Sequence, residues 1–201
     1  MKVTKFEVGF LRTNCYIIEN ENKAIVIDPG DEAGMLLDYL KDKEVPYVLL
    51  THSHFDHIGG VPAFKKAKGS KIIIHKNEMP LYEKSEYLAA MYGFQSAKMP
   101  KPDIFLDKEG KLDFIDGFDI SVLETPGHTP GGVCYIFNDF LFSGDTLFKG
   151  SIGRTDLPFA DDDAMKLSLR KLKSLDKNYK IMPGHGEFSF IHKEIEDNPF
   201  L

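Results

Sequence analysis

The sequence predicts a mixed α/β fold made of two similar halves, each a sheet covered by helices. Three observations predict it. Short β-branched and aromatic runs separated by polar turns open the chain and return in its second half, the signature of strands joined by hairpins. Each set of strands leads into segments with apolar residues at helical spacing. The order is therefore strands, mixed α and β, strands, mixed α and β, with no exact repeat. With 201 residues, 42% of them hydrophobic, the chain can bury a core, and we expect one domain spanning 1–201.

In chain order, "KVTKFEV", "CYIIE" and "AIVID" read as a meander of strands broken by turns such as "NENK". Pro29 and Gly30 end the third strand, and Met35, Leu36, Leu37 and Leu40 mark a helix. "VPYVLL" is a buried strand, "VPAFKKAKG" a short helix and "KIIIH" another strand. Asn77 to Pro102 reads as a helical insertion, and within it "MPLYEKSEYLAAMYGF" is expected to serve as helical core, the alternative being a pocket wall. From Ile104, "KLDFI", "FDISVLET", "GGVCYIFN" and "DFLFSGD" imply a second meander. "DDDAMKLSLRKLKSL" is an amphipathic helix with Met165, Leu167, Leu169, Leu172 and Leu175 on its apolar face and acidic residues at its N-terminus. "YKIMPGHG" gives a last strand and "FIHKEIEDN" a terminal helix. Cys15 and Cys134 each fall inside a strand, too far apart for a C-x-x-C pair, and read as small core residues.

The net charge of −6 argues against a protein that grips a phosphate backbone. The N-terminus "MKVTKFEVGF" has no apolar signal region, and no apolar run approaches the ~18 residues of a membrane span. A cytoplasmic protein without a nucleic-acid or membrane partner is expected.

The chemistry concentrates in "THSHFDH", Thr51 to His57, at the exit of a strand. Divalent first-row metals take neutral imidazole and carboxylate ligands. On an extended backbone His52 and His54 project to one side, while Asp56 and His57, beyond a turn, face a neighbouring point. One loop can thus serve two metals. Further candidates follow, each in a Gly- or Pro-punctuated turn after an apolar strand: His128 in "TPGHTPGG", Asp145 in "FSGDT" and His185 in "MPGHGE". Repeated delivery of His and Asp at strand ends is hard to explain as packing.

These motifs, H-x-H-x-D-H, G-H-T, S-G-D-T and P-G-H-G in that order over nearly the whole chain, resemble the metallo-β-lactamase fold superfamily and, within it, the glyoxalase II-like hydrolases. The resemblance implies a four-layer αββα sandwich with a dinuclear metal site at the sheet edge. It implies that His52, His54 and His128 hold one metal, Asp56, His57 and His185 the second, and that Asp145 bridges them. Two divalent ions are expected, zinc by default, with iron or manganese accommodated by the same ligands. The implied reaction is hydrolysis of a small-molecule thioester of the hydroxyacylglutathione kind, by attack of a metal-bridging hydroxide on the carbonyl. Asp56, a ligand, can also orient that hydroxide.

Several residues carry two readings. Lys149 and Arg154, in "GDTLFKGSIGRTDLP", suit binding of a substrate carboxylate, or Arg154 pairs with Asp156 to fix the loop. Asp28 is expected to form a turn or cap a helix, the alternative being a hydrogen bond to the metal shell. Gly59 and Gly60 are expected to permit close backbone approach at the site. His75 and His192 are expected not to be ligands. The sequence ends at Leu201, sixteen residues after His185, so no separate C-terminal glutathione-binding domain is expected. A competing resemblance at "GRTD" is to mononuclear iron persulfide dioxygenases, in which His52, His128 and Asp145 would form the facial triad. Lactamase, nuclease and non-catalytic metal-binding readings rank lower.

Overall fold

Lys2–Val8 (β1), Thr13–Asn20 (β2) and Lys23–Ile27 (β3) form an antiparallel meander, as their alternating β-branched and aromatic residues predict. The computed structural model describes residues 1–201, and the chain divides into two compact units, Met1–Leu106 and Asp107–Leu201.

In the first unit Ala33–Tyr39 (α1) carries the chain to Glu44–Leu49 (β4), which pairs in parallel with β3. Phe55–Ile58 (α2) and Val61–Lys68 (α3) lead to Lys71–His75 (β5). A 3-10 turn and two short helices, Met79–Tyr82 (α4) and Ser85–Met91 (α5), then lead to Ile104–Leu106 (β6). The six strands make one sheet in sequence order. Ile17, Val26, Val48, Ile72 and Ile74 share a core with Leu36, Leu40, Val61 and Phe64 of α1 and α3. Ile18, Ile25, Ile27, Leu49 and Ile73 on alternate positions are also buried, which is why these strands read as continuous apolar runs. Removal of each such side chain from water contributes about 1.5–3 kcal/mol. Met35, assigned to the apolar stripe of α1, is instead 46% exposed; Leu36 and Leu40, four apart, carry the contact.

The second unit contains Gly110–Lys111 (β7), Ile120–Glu124 (β8), Val133–Phe137 (β9) and Phe140–Gly144 (β10), all paired antiparallel. A small hairpin, Leu147–Phe148 (β11) and Ser151–Ile152 (β12), follows. After Asp162–Lys173 (α6), Lys180–Pro183 (β13) pairs in parallel with β10, and Ser189–Phe190 (β14) leads into Ile191–Asp197 (α7). Met165, Leu169 and Leu172 of α6 share a core with Cys134, Leu141, Ile181 and Ile191. The Asp161 side chain caps α6 by accepting the Ala164 amide at 3.0 Å.

Two expectations need correction here. "KLDFI" is not a strand beyond Lys111: Leu112, Ile115 and Phe118, three apart, are buried from a turn closed by the Ile115 amide on the Leu112 carbonyl. Leu167, placed on the apolar face of α6, is 62% exposed. Both thiols are fully buried; burial raises the Cys15 pKa well above its ordinary value and that of Cys134 to about 11. No helix is long and apolar enough to cross a membrane.

Candidate metal centre

Parallel pairing fixes where the ligand-bearing loops emerge. In the first unit Ile27 of β3 lies opposite Leu49 of β4, so Asp28 and Thr51 leave the sheet side by side. In the second, β8 and β10 both run antiparallel to β9, and β13 runs parallel to β10. Their C-terminal ends therefore lie on one edge, and they deliver His128, Asp145 and His185.

In the first unit the histidine loop starts extended, with His54 at φ −64° and ψ 143°, and then turns into α2, which carries Asp56 and His57. The His52 ring lies 4.9 Å from that of His54 and 4.1 Å from that of His57. Behind them sits Asp28. Its Oδ1 accepts the Thr51 amide at 2.8 Å, and its Oδ2 accepts the Thr51 hydroxyl at 2.5 Å. With its only proton committed, Thr51 Oγ1 accepts from His52 Nδ1 at 3.0 Å. Asp28 Oδ2 also accepts from His57 Nδ1 at 3.0 Å. Both imidazoles are thereby held in the tautomer whose lone pair is on Nε2, the form a metal binds.

The turn-or-cap reading of Asp28 is thus corrected. The residue at the N-terminus of α1 is Glu32, without a side-chain cap, and the Asp28 carboxylate instead orients two histidines. Asp28, His52 and His57 present atoms within 4.8 Å of one another. Asp28 nevertheless is an orienter and not a ligand, because its oxygens face Nδ1 nitrogens and the Thr51 groups.

Asp56 Oδ2 lies 3.6 Å from His57 Nε2 and accepts the Thr13 hydroxyl at 2.9 Å. The backbone of α2 packs directly on the turn after β3. A Cβ added to Gly30 would lie 1.7 Å from the Asp56 carbonyl oxygen, and one added to Gly59 would lie 2.1 Å from the Gly30 carbonyl oxygen. Close approach is thus the role of Gly59 and also of Gly60, whose added Cβ would lie 2.6 Å from the Pro29 carbonyl oxygen, as expected. Glu78, fully buried, accepts the Ser53 amide at 2.7 Å and so holds the loop between His52 and His54.

In the second unit His128 Nε2 and His185 Nε2 lie 3.5 Å and 3.6 Å from the same oxygen, Asp145 Oδ2. Two ligand atoms about 2.0–2.1 Å from one tetrahedral metal are about 3.4 Å apart. The spacing is that of co-ligands. The ring of His128 has its tautomer fixed as well: Nδ1 donates to the Arg154 carbonyl at 2.8 Å, leaving the lone pair on Nε2. Gly153 packs here as Gly30 does in the first unit; its Cβ would lie 1.7 Å from the Asp145 carbonyl oxygen and 3.1 Å from His128 Cγ.

The two basic candidates are differently engaged. The Arg154 guanidinium makes a bidentate pair with Asp156, both bonds 2.8 Å, and holds that carboxyl below its usual range. Lys149, beside Gly150 at the β11–β12 turn, is paired with Glu187, which raises its pKa. The geometry is that of the loop-fixing alternative for Arg154, whose main-chain carbonyl separately accepts from His128 Nδ1. His75 sits at the start of the 3-10 turn, its Nδ1 accepting the Asn77 amide at 3.3 Å. Sequence reading missed Thr13, Thr51 and Glu78, and each acts on a residue distant in sequence or through the backbone. Only Thr51, adjoining the ligand motif, left a local signal.

The donor set and its tautomers fit divalent metal ions, and comparison with known proteins agrees. Residues 8–185 match the model of the metallo-beta-lactamase superfamily. The chain is 35% identical to the hydroxyacylglutathione hydrolase GloC of Haemophilus influenzae, over 100% of this chain and 98% of that one. Among solved structures, it is similar to the B3 metallo-beta-lactamase BLEG-1, with a TM-score of 0.93 and 35% identity over 100% of this chain and 99% of that one. It is likewise similar to TTHA1623 in a di-iron-bound form, with a TM-score of 0.91 and 38% identity over 98% and 100%. A mixed α/β fold, strand ends that present His and Asp in metal-ready form, and a family match spanning both units lead to one assignment: the chain belongs to the metallo-β-lactamase superfamily.

Proposed function

We propose that this protein is a metal-dependent hydrolase of thioesters, with His52, His54, Asp56, His57, His128, Asp145 and His185 holding two divalent ions. The observation that carries the reading is the fixing of His52, His57 and His128 by Nδ1 partners that leave each Nε2 lone pair for a metal. Bound divalent ions lower the pKa of a coordinated water from about 15.7 to near 7 and polarise a carbonyl oxygen. The chain's own contribution is position. Asp28 and Thr51 orient the imidazoles, Thr13 holds the Asp56 carboxylate, and Glu78 holds the Ser53 amide.

A thioester is favoured over an amide because a thiolate leaves without protonation, and no general acid has to be supplied. The relative from Haemophilus influenzae, a hydroxyacylglutathione hydrolase by name, supports the same bond type. Zinc is the default metal. The di-iron form of TTHA1623 supports iron as the alternative.

The test is hydrolysis of a thioester panel by metal-loaded protein, with metal content measured on the same samples. We expect turnover in the native protein and its loss, by at least about 100-fold, in folded His54→Ala and Asp145→Ala variants. Unchanged turnover in both would refute the ligand set. Oxygen consumption and sulfite release from glutathione persulfide, with a single tightly held iron, would replace the hydrolase by a dioxygenase.

A further inference from the structure

The first unit has a cavity of about 270 Å³ whose wall includes Asp56, the proposed metal ligand. Thr13, which donates to Asp56, lines it too. The space suits one compact group of a small ligand.

Its chemistry is distinctive. Phe10, at the tip of the β1–β2 hairpin, Phe55 of α2 and Phe94, beyond α5, line it. Phe10 and Phe94 have ring centroids 5.9 Å apart, Phe94 and Phe55 5.1 Å, and Phe55 continues to Tyr92 at 6.3 Å. Phe10 is 85% exposed and Tyr92 53%, so a contiguous aromatic row stands in water beside the cavity, unlike scattered single apolar residues.

The only charged residues in the lining are Asp31 and Asp56, with no lysine, arginine or histidine among them. Nearby cations are directed elsewhere. Arg12 meets Glu7 at 2.7 Å, and Lys98 lines a separate cavity with Met79 and Tyr82. Asp31 accepts the Glu32 amide at 2.7 Å, a bond that leaves its charge in place. Metal ligation would offset the charge of Asp56 and leave that of Asp31 facing the cavity.

Resting on the thioesterase reading, we infer that this cavity receives the thiol side of a small thioester, and that the aromatic row with Asp31 selects a cationic thiol over an anionic one such as glutathione. A cation is attracted by aromatic faces and by the carboxylate together. The acyl side is the poorer occupant, because hydrolysis leaves it as a carboxylate that Asp31 repels. A glutathione thioester would bring its own carboxylates to a wall with no base to meet them.

The experiment holds the acyl group constant and changes the charge of the thiol. Metal-loaded protein is assayed with S-acetylthiocholine, S-acetyl-N-acetylcysteamine and S-acetylglutathione, which carry cationic, neutral and anionic thiols. We expect kcat/KM to fall in that order, with about tenfold between the first and last. Asp31→Asn should shrink that ratio several-fold, Asp31→Lys should invert it, and added salt should lower it, since Asp31 is exposed. Binding of choline, followed by NMR titration, should weaken in Asp31→Asn and Phe94→Ala without reference to turnover. Equal or better use of S-acetylglutathione, or choline binding that ignores Asp31, overturns the inference. Choline binding that depends on Asp31 without hydrolysis of any of the three thioesters would retain the cavity assignment and sink the thioesterase reading.

Discussion

At the residue scale, the Asp28 carboxylate organises the histidine loop. Its Oδ2 serves both the Thr51 hydroxyl, which accepts from His52, and His57 Nδ1 directly. The backbone of Asp28 is in the left-handed region at φ +51°, an unfavourable place for a non-glycine residue that the surrounding contacts maintain. Asp28→Ala should therefore lower metal affinity about 10- to 100-fold while the protein stays folded. Competition against a chromogenic chelator checks this, and affinity within twofold of the native value would remove the orienting role. The residue was misread from sequence because Asp-Pro-Gly is a strong local turn signal, whereas His57 lies 29 positions away. Proximity of that kind comes only from the β3–β4 register. The proposed ligands were legible as candidates, because their residue types and strand-end placement are local properties.

At the element scale, the two units use one device. A glycine in the turn packed against a proposed aspartate ligand lets two backbones touch: Gly30 against the Asp56 carbonyl and Gly153 against the Asp145 carbonyl. A methyl group at 1.7 Å from an oxygen forces the turns apart. Gly30→Ala should cost about 1–3 kcal/mol or more and displace Asp56. Gly34, in α1, has nothing within 4 Å of its added Cβ, so Gly34→Ala should gain about 0.5–1 kcal/mol by helix propensity. Denaturant unfolding of the pair measures both, and a Gly30→Ala protein as stable as native would contradict the packing. Helices α3 and α6 and the two meanders were legible, since hydrophobic period and capping residues sit inside the element. The turn at 112–118 was not: three apolar residues three apart bury equally well from a compact turn, and only the chain around them decides which form they take.

At the scale of the whole molecule, the proposed ligands come from both units, His52 to His57 from the first and His128, Asp145 and His185 from the second. Metal bound only by the folded protein stabilises it by mass action, about 2.7 kcal/mol at one hundred times Kd. For a chain near 200 residues, 1 kcal/mol shifts Tm by about 2–4 °C. Chelation should therefore lower Tm by about 5–10 °C, with recovery on readdition of zinc. Calorimetry with metal content measured in parallel checks this; an unchanged Tm in metal-free protein would count against metal ligation by the folded chain. What the sequence by itself determined was the mixed α/β class, the order of strands and helices, and the His and Asp residues at strand ends, because periodicity, turn chemistry and ligand type are written residue by residue. The tertiary structure alone decided which nitrogen of His52, His57 and His128 is left with its lone pair, that Asp28 orients rather than caps, that Arg154 and Lys149 pair with Asp156 and Glu187, and that an aromatic, acidic cavity adjoins Asp56. Each of these depends on groups brought within a few ångströms by strand register and loop packing, and separation in sequence carries no record of that distance.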